Sequence, residues 1–136
     1  MIKYTITEYK QYNKEEIMPL YESVGWTNYT KNPEMLAKAY KSSLYTLAAY
    51  DNEKLIGIIR TVGDGFSIVF IQDILIHPEY QRNGIGTELV KCIKEHFSSV
   101  YQMELMTDNT PKTISFYKSL GFTKADEMGA CAFVKM

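Results

Sequence analysis

Chemistry in this chain is concentrated where an apolar run gives way to a polar turn. Ile74-Leu75-Ile76-His77-Pro78-Glu79-Tyr80 leads into Gln81-Arg82-Asn83-Gly84-Ile85-Gly86, and from Ile85 the apolar residues Leu89, Ile93 and Phe97 recur at helical spacing. A strand leaving a sheet and entering a helix through glycines offers unpaired backbone N–H groups and a partial positive charge, which suit a phosphate or pyrophosphate. Gly84 and Gly86 carry no Cβ, so the backbone there can turn tightly and approach a ligand, and Arg82 adds a cation.

Two nucleotide readings are tested against this spacing. The phosphate loop of nucleoside triphosphatases fails because no Gly-Lys-Ser/Thr follows a first glycine at the required distance. The dinucleotide fingerprint fares better, with Asp108 about twenty residues on, but Leu89 stands where a third glycine belongs. Only 28 residues follow Asp108, too few for the rest of a doubly wound sheet.

Other residues stand out against their surroundings. Gln72 and Asp73 interrupt an apolar strand, where polar groups need partners or a task. Trp26 and Tyr29 flank Thr27-Asn28 between two helical patterns. His77 is the one imidazole near the turn.

The elements that position these residues follow from periodicity. Ile2 to Tyr9 reads as a strand, and Asn13 with Glu16 makes a variant capping box before Ile17, Leu20, Tyr21 and Val24, with Gly25 as the stop. Asn32-Pro33 opens a shorter helix carrying Met35, Leu36, Ala39 and Tyr40. Leu44 to Tyr50 and Leu55 to Val62 form two β-prone runs about a turn at Asp51-Asn52-Glu53-Lys54. Phe66 to Ile76 is apolar enough for a central strand covered on both faces. After the Ile85 helix, Tyr101 to Thr107 reads as a strand. Thr110-Pro111 starts a last helix with Ile114, Tyr117 and Leu120, stopped by Gly121. Phe122 to Met136 has room for two short strands, giving the order βααβββαβαββ. Met128 to Met136 is expected to form an edge strand that lines a ligand site or pairs with a second subunit.

Composition bounds the remainder. At 136 residues, 46% hydrophobic and 23% charged, the chain fits one soluble domain spanning 1–136. A net charge of -1 gives no long-range pull on nucleic acid or an acidic membrane. Cys92 and Cys131 lie far apart and read as reduced thiols, and no run reaches the roughly 18 apolar residues of a membrane span, so a cytoplasmic setting without signal or anchor is expected.

At this point the sequence resembles the GNAT superfamily of N-acetyltransferases, whose Gln/Arg-x-x-Gly-x-Gly/Ala motif is matched by Gln81 to Gly86 at every fixed position. A second match lies in Asn109, Tyr117 and Leu120-Gly121-Phe122. The order of elements fits as well, so the resemblance covers nearly the whole chain. It implies a single-domain GNAT fold of the α/β (α+β) class, a mixed and mostly antiparallel sheet of six to seven strands flanked by about four helices.

The resemblance also implies acetyl-CoA as co-substrate and no metal. The backbone of Leu75 and Ile76 would bond the pantetheine arm where the fourth strand bulges and splays from the fifth. The N–H groups from Arg82 through Asn83, Gly84 and Ile85 to Gly86 would hold the pyrophosphate, and Asn109 would bond the arm from the other side. Transfer to an amine needs a neutral nucleophile, donors for the oxyanion and a proton for the thiolate. Tyr117 is the candidate acid and Asp73 the candidate base, acting directly or through a water, with a backbone N–H near Leu75 or Ile76 as oxyanion donor. Trp26 and Tyr29 are expected to receive the acceptor, an arylalkylamine or polyamine being of suitable chemistry. The expected activity is acetyl transfer to a primary amine of a small molecule by direct attack in a ternary complex, from a monomer or homodimer. A CoA-binding sensor without turnover and a protein N-acetyltransferase are the alternatives.

Overall fold

The computed structural model describes residues 2–136. The chain divides into two compact units, one running through Leu105 and the other comprising Met106–Met136.

The first unit contains β1 (Thr5–Glu8), α1 (Lys14–Ser23), α2 (Thr27–Thr30), α3 (Pro33–Lys41), β2 (Tyr45–Asp51), β3 (Lys54–Gly63), β4 (Ile68–Ile76), a 3₁₀ turn at Pro78–Tyr80, α4 (Ile85–His96) and β5 (Gln102–Leu105). Local chemistry accounts for the helix starts. Asn13 Oδ1 accepts from the Glu15 N–H at 3.0 Å, and Asn32 accepts from the Met35 N–H with Pro33 in the first turn. The Asn13–Glu16 capping box does not close: the Glu16 carboxylate accepts from the hydroxyls of Tyr9 and Tyr50, and the Asn13 N–H donates to the Tyr9 hydroxyl. Gly25 ends α1 at a φ of 76°.

The strands lie in the order β1-β2-β3-β4-β5, antiparallel except for the parallel β4–β5 pair. On one face Ile17, Leu20, Tyr21, Leu36 and Tyr40 of α1 and α3 pack with Ala48, Leu55, Ile58 and Leu75. On the other, α4 brings Ile85, Leu89, Val90 and Ile93 to the sheet, all with 1% exposure or less. Gly57 permits that approach: a Cβ there would sit 2.9 Å from Ile76 Cδ1 and 3.4 Å from Ile85 Cγ2.

One irregularity decides which side chains face which layer. Arg60 pairs with Asp73 and Thr61 with Ile71, so Gln72 bulges out of the β3–β4 ladder. Because neighbouring residues Arg60 and Thr61 point to opposite faces, so do Ile71 and Asp73, which a regular strand would place on one face. The bulge turns Asp73 toward α1, α2 and α3.

The second unit contains α5 (Pro111–Ser119), capped by Thr110 Oγ1 accepting from the Thr113 N–H, and a 3₁₀ turn at Ala125–Met128. Two expectations are corrected here. The described residues form five strands, not six to seven, and five α-helices, not about four. The added helix is α2, a single turn in what reads as a loop. The missing strands are those expected in Phe122–Met136, where no described residue offers the hydrogen-bonded neighbour a strand requires.

Candidate functional site

In the first unit, β5 pairs with β4 only over Ile68–Ile71, so Gln72–Ile76 have no strand partner on that side. The sheet opens at the bulge. The His77 N–H donates to the Ile56 carbonyl at 2.8 Å, which sets the alternation of the antiparallel ladder. By that alternation Leu75, opposite Ile58, directs its N–H and C=O to β3, while Ile74 and Ile76 direct theirs to the open side. The Ile76 carbonyl there accepts from Gln81 Nε2 at 3.1 Å. Of the two residues singled out for pantetheine, Ile76 has its backbone groups on the open side and Ile74 shares that orientation.

The turn that follows is held by its own side chains. His77 Nδ1 accepts from the Glu79 N–H at 3.2 Å, and the Tyr80 hydroxyl donates to Asp51 at 2.9 Å. Asn83 Nδ2 donates to the carbonyls of Tyr80 and Gln81 at 2.9 and 3.1 Å. Gln81 and Asn83 thus shape the loop with their side chains. Arg82 has a φ of 67° and Gly84 a φ of 77°, left-handed backbone that glycine adopts freely and arginine seldom does. Gly84 is the N-cap of α4, and no side chain caps that helix. Its first N–H groups lack intrahelical partners, and a Cβ built on Gly84 would meet nothing within 4 Å. An uncapped helix start facing open space beside an open strand edge fits a diphosphate with an extended arm.

Across the bulge lies a buried polar cluster. Asp73 is 2% exposed and Arg60 4%. Arg60 Nε donates to Asp73 Oδ2 at 2.7 Å, the Tyr21 hydroxyl to the same oxygen at 2.9 Å, and the Tyr29 hydroxyl to Oδ1 at 3.0 Å. Tyr21 has one hydroxyl proton, given to Asp73, so at 2.8 Å it accepts from Tyr40. Arg60 also donates to Ser43 Oγ at 3.2 Å and stands over the Tyr40 ring. Burial and the neighbouring hydroxyl and carboxylate push the Tyr21 phenol far above its ordinary value; burial, then Asp73, raises Tyr29. Burial lowers Arg60, but the Asp73 carboxylate outweighs it and the guanidinium is held above its ordinary value.

Half-buried Tyr29 and Trp26 pack on Tyr21 with ring centroids 5.3 and 5.9 Å away. Exposed Gln72, the bulged residue, donates to the Tyr29 hydroxyl at 3.4 Å, so Tyr29 is reached from the point where the sheet opens. Sequence reasoning missed Arg60, Tyr21 and Tyr40. Arg60 carried a signal, being the one charged residue in the run Leu55–Val62. A hollow of about 670 Å³ among the β1–α1 loop, α3 and the start of β2 contains none of the expected site residues.

In the second unit Asn109 is exposed just before the cap of α5, and Tyr117 is 9% exposed. Burial raises the Tyr117 phenol above its ordinary value, with nearby Asp108 adding to the rise and a hydrogen bond from Thr107 opposing it. Phe122 meets the Tyr117 ring edge-on, and its N–H donates to the Tyr117 carbonyl, so the Leu-Gly-Phe end of the helix packs on the tyrosine.

Comparison with known proteins places this arrangement. The model of the acetyltransferase (GNAT) domain matches residues 8–136. A solved GNAT family acetyltransferase of Streptococcus pneumoniae is 39% identical, covers 98% of each chain and superposes with a TM-score of 0.90. An uncharacterized N-acetyltransferase of Prochlorococcus marinus, ycf52-like, is 32% identical over 87% of this chain and 67% of its own length. An uncharacterized N-acetyltransferase of Pyropia yezoensis is 29% identical over 85% and 67%. The chain thus spans about two thirds of the length of these curated relatives. No helix among the described residues is long and apolar enough to cross a membrane.

Proposed function

The chain belongs to the GNAT acetyltransferase family, and from that premise we propose that it transfers the acetyl group of acetyl-CoA to the primary amine of a small molecule, by direct attack within a ternary complex. The observation that carries the proposal is the opening of the sheet after Ile71, immediately before the uncapped start of α4.

In this reading the N–H groups from Arg82 to Gly86 hold the pyrophosphate, and Ile74 and Ile76 bond the pantetheine arm as a missing strand would. Asn109 bonds the arm as well. The amine nitrogen attacks the thioester carbon; a C–N bond forms, the C–S bond breaks, the nitrogen gives one proton to water, which restores the proton donor, and the departing thiolate takes a proton. Tyr117 supplies that proton, its raised phenol remaining protonated at neutral pH until the thiolate forms.

The Tyr29 hydroxyl gives its proton to Asp73 and accepts from Gln72, which leaves one acceptor position for an incoming amine N–H. Asp73, the residue expected as base, is better cast as a positioning residue. Arg60 and Tyr21 hold its Oδ2 and Tyr29 holds its Oδ1, so the carboxylate is engaged within the cluster. The amine therefore enters neutral, Trp26 and Tyr29 giving its apolar body an aromatic surface.

The test is free-thiol release from acetyl-CoA over a panel of small amines and peptides, with products identified by mass. Release that depends on a small amine, and that falls about a hundredfold in Tyr117→Phe with folding intact, is the expected result. Release with peptides alone would move the acceptor to proteins. Binding of CoA without release across the panel would leave a sensor.

A further inference from the structure

The hollow among the β1–α1 loop, α3 and the start of β2 is distinct from the proposed site, because neither Trp26 nor Tyr29 nor any residue of the turn before α4 lines it. Its volume of about 670 Å³ lies within the range of about 300–1,000 Å³ that small-molecule pockets occupy. Size admits many ligands, and the lining narrows them.

Three of the lining residues are tyrosines that pack together. Tyr9 meets Tyr40 edge-on with ring centroids 6.0 Å apart, and Tyr12 leans on Tyr40 at 5.2 Å. Their hydroxyls differ. Tyr40 donates to Tyr21 and Tyr9 to Glu16, so both are engaged within the fold. Among the described residues, the Tyr12 hydroxyl is the one buried side-chain polar atom without a hydrogen-bond partner. An unmatched buried donor is costly, and each one in a folded protein calls for a reason. Burial raises the Tyr12 phenol above its ordinary value, so at neutral pH it keeps its proton and can donate.

Charge points the same way. Three lysines and one glutamate line the hollow. Lys10 stands 4.0 Å from Glu8, and Lys38 pairs with Glu34 at 3.4 Å. Lys41 forms no ion pair among the described residues. One cation and one O–H donor are therefore uncommitted. A carboxylate matches both, since it carries a single charge and offers one oxygen to each. A phosphate monoester would bring about two negative charges against one free cation. The tyrosine rings favour a flat aromatic body over an aliphatic one.

We infer that this hollow is a second binding site, for a small aromatic carboxylate whose charged end takes the Lys41 ammonium and the Tyr12 hydroxyl and whose ring packs on Tyr9 and Tyr40. Ser43 and Tyr40 both line the hollow and both touch Arg60, so the occupant meets two neighbours of the residue that holds Asp73. This inference does not depend on acetyl transfer.

The experiment is calorimetry with benzoate, phenylacetate and indole-3-acetate, and with acetate and phenethylamine as the non-aromatic and cationic counterparts. It uses the full chain, Lys41→Glu, Tyr12→Phe and Tyr29→Phe. One aromatic carboxylate bound per chain, at least about tenfold tighter than acetate or phenethylamine, is the expected result. Its affinity should fall at least about tenfold in Lys41→Glu and in Tyr12→Phe, and stay unchanged in Tyr29→Phe. Backbone amide shifts on binding should centre on Gln11, Tyr12 and residues 41–44. Without ligand, Tyr12→Phe should melt no lower than the parent, since the hydroxyl it loses bonds to nothing. Failure of all three aromatic carboxylates to bind overturns the inference. Binding that survives in Lys41→Glu and is lost in Tyr29→Phe overturns it equally, because the ligand then sits at the acceptor surface. A lower melting point for Tyr12→Phe does so too, because the hydroxyl then serves the fold. The shift map needs no variant, so the location is tested even if a variant fails to fold.

Discussion

Replacing Asp73 by Asn tests the buried cluster at its centre. The substitution keeps the side-chain volume and one amide oxygen able to accept a hydrogen bond, but it leaves Arg60, 4% exposed, without its counter-charge. Removing one member of a buried ion pair costs about 3–5 kcal/mol. Because Asn still accepts from a tyrosine, the lower end applies, about 3 kcal/mol. At about 3–5 °C per kcal/mol for a domain of this size, the Tm should fall by about 10–15 °C. Circular dichroism on heating measures this directly. The double variant Arg60→Met, Asp73→Leu removes both charges and orphans neither, so it should lose much less than the sum of the two single variants. A Tm for Asp73→Asn within about 3 °C of the parent would refute the reasoning, since a change that small is typical of a surface substitution. Equality of the double variant with the sum of the singles would refute it too.

Tyr29→Phe removes the hydroxyl shared by Asp73 and Gln72, and steady-state kinetics should show the KM for the amine rising about tenfold while that for acetyl-CoA stays unchanged, the worth of one hydrogen bond. A rise in both would make Tyr29 merely structural. Gly84→Val places a β-branched residue at a φ of 77° with nothing for its Cβ to strike, so the cost is backbone strain of about 1–2 kcal/mol. Calorimetry should find CoA binding at least about tenfold weaker. Alkaline pH should weaken the fold. Burial, then Glu16, pushes Tyr50 up to about 12, and Tyr9 and Tyr21 are raised further. An unfolded tyrosine loses its proton near its ordinary value of about 10 while these keep theirs, so the stability is whole below that pH and drains away as pH rises toward the folded values. Urea midpoints that stay level between pH 9 and 11 would contradict this, whereas Tyr50→Phe should make the decline shallower.

Much of the fold was legible because it is local. The caps at Asn32 and Thr110 each rest on a side chain bonding a backbone N–H three residues on, and the turn before α4 is written in Gln81, Asn83 and Gly84, whose roles span only a few neighbours. Apolar spacing likewise placed α1, α3, α4 and α5, since a helix shows its period within a few turns. Asn13 shows the limit even of a local pattern: the capping box fitted the spacing, but Glu16 went to the hydroxyls of Tyr9 and Tyr50.

What the chain settled by itself, then, was the order of α1, α3, α4 and α5, the glycine turn before α4 and the presence of a polar break at Gln72 and Asp73. Tertiary structure alone decided what that break does. The bulge at Gln72 exists only against β3, and it turns Asp73 to the helical face, where Arg60, Tyr21 and Tyr29 arrive from three distant segments. The C-terminal segment shows the same dependence from the other side. Its residues have the composition of strands, yet a strand is a pairing and not a property of one segment, and none of the described residues pairs with it.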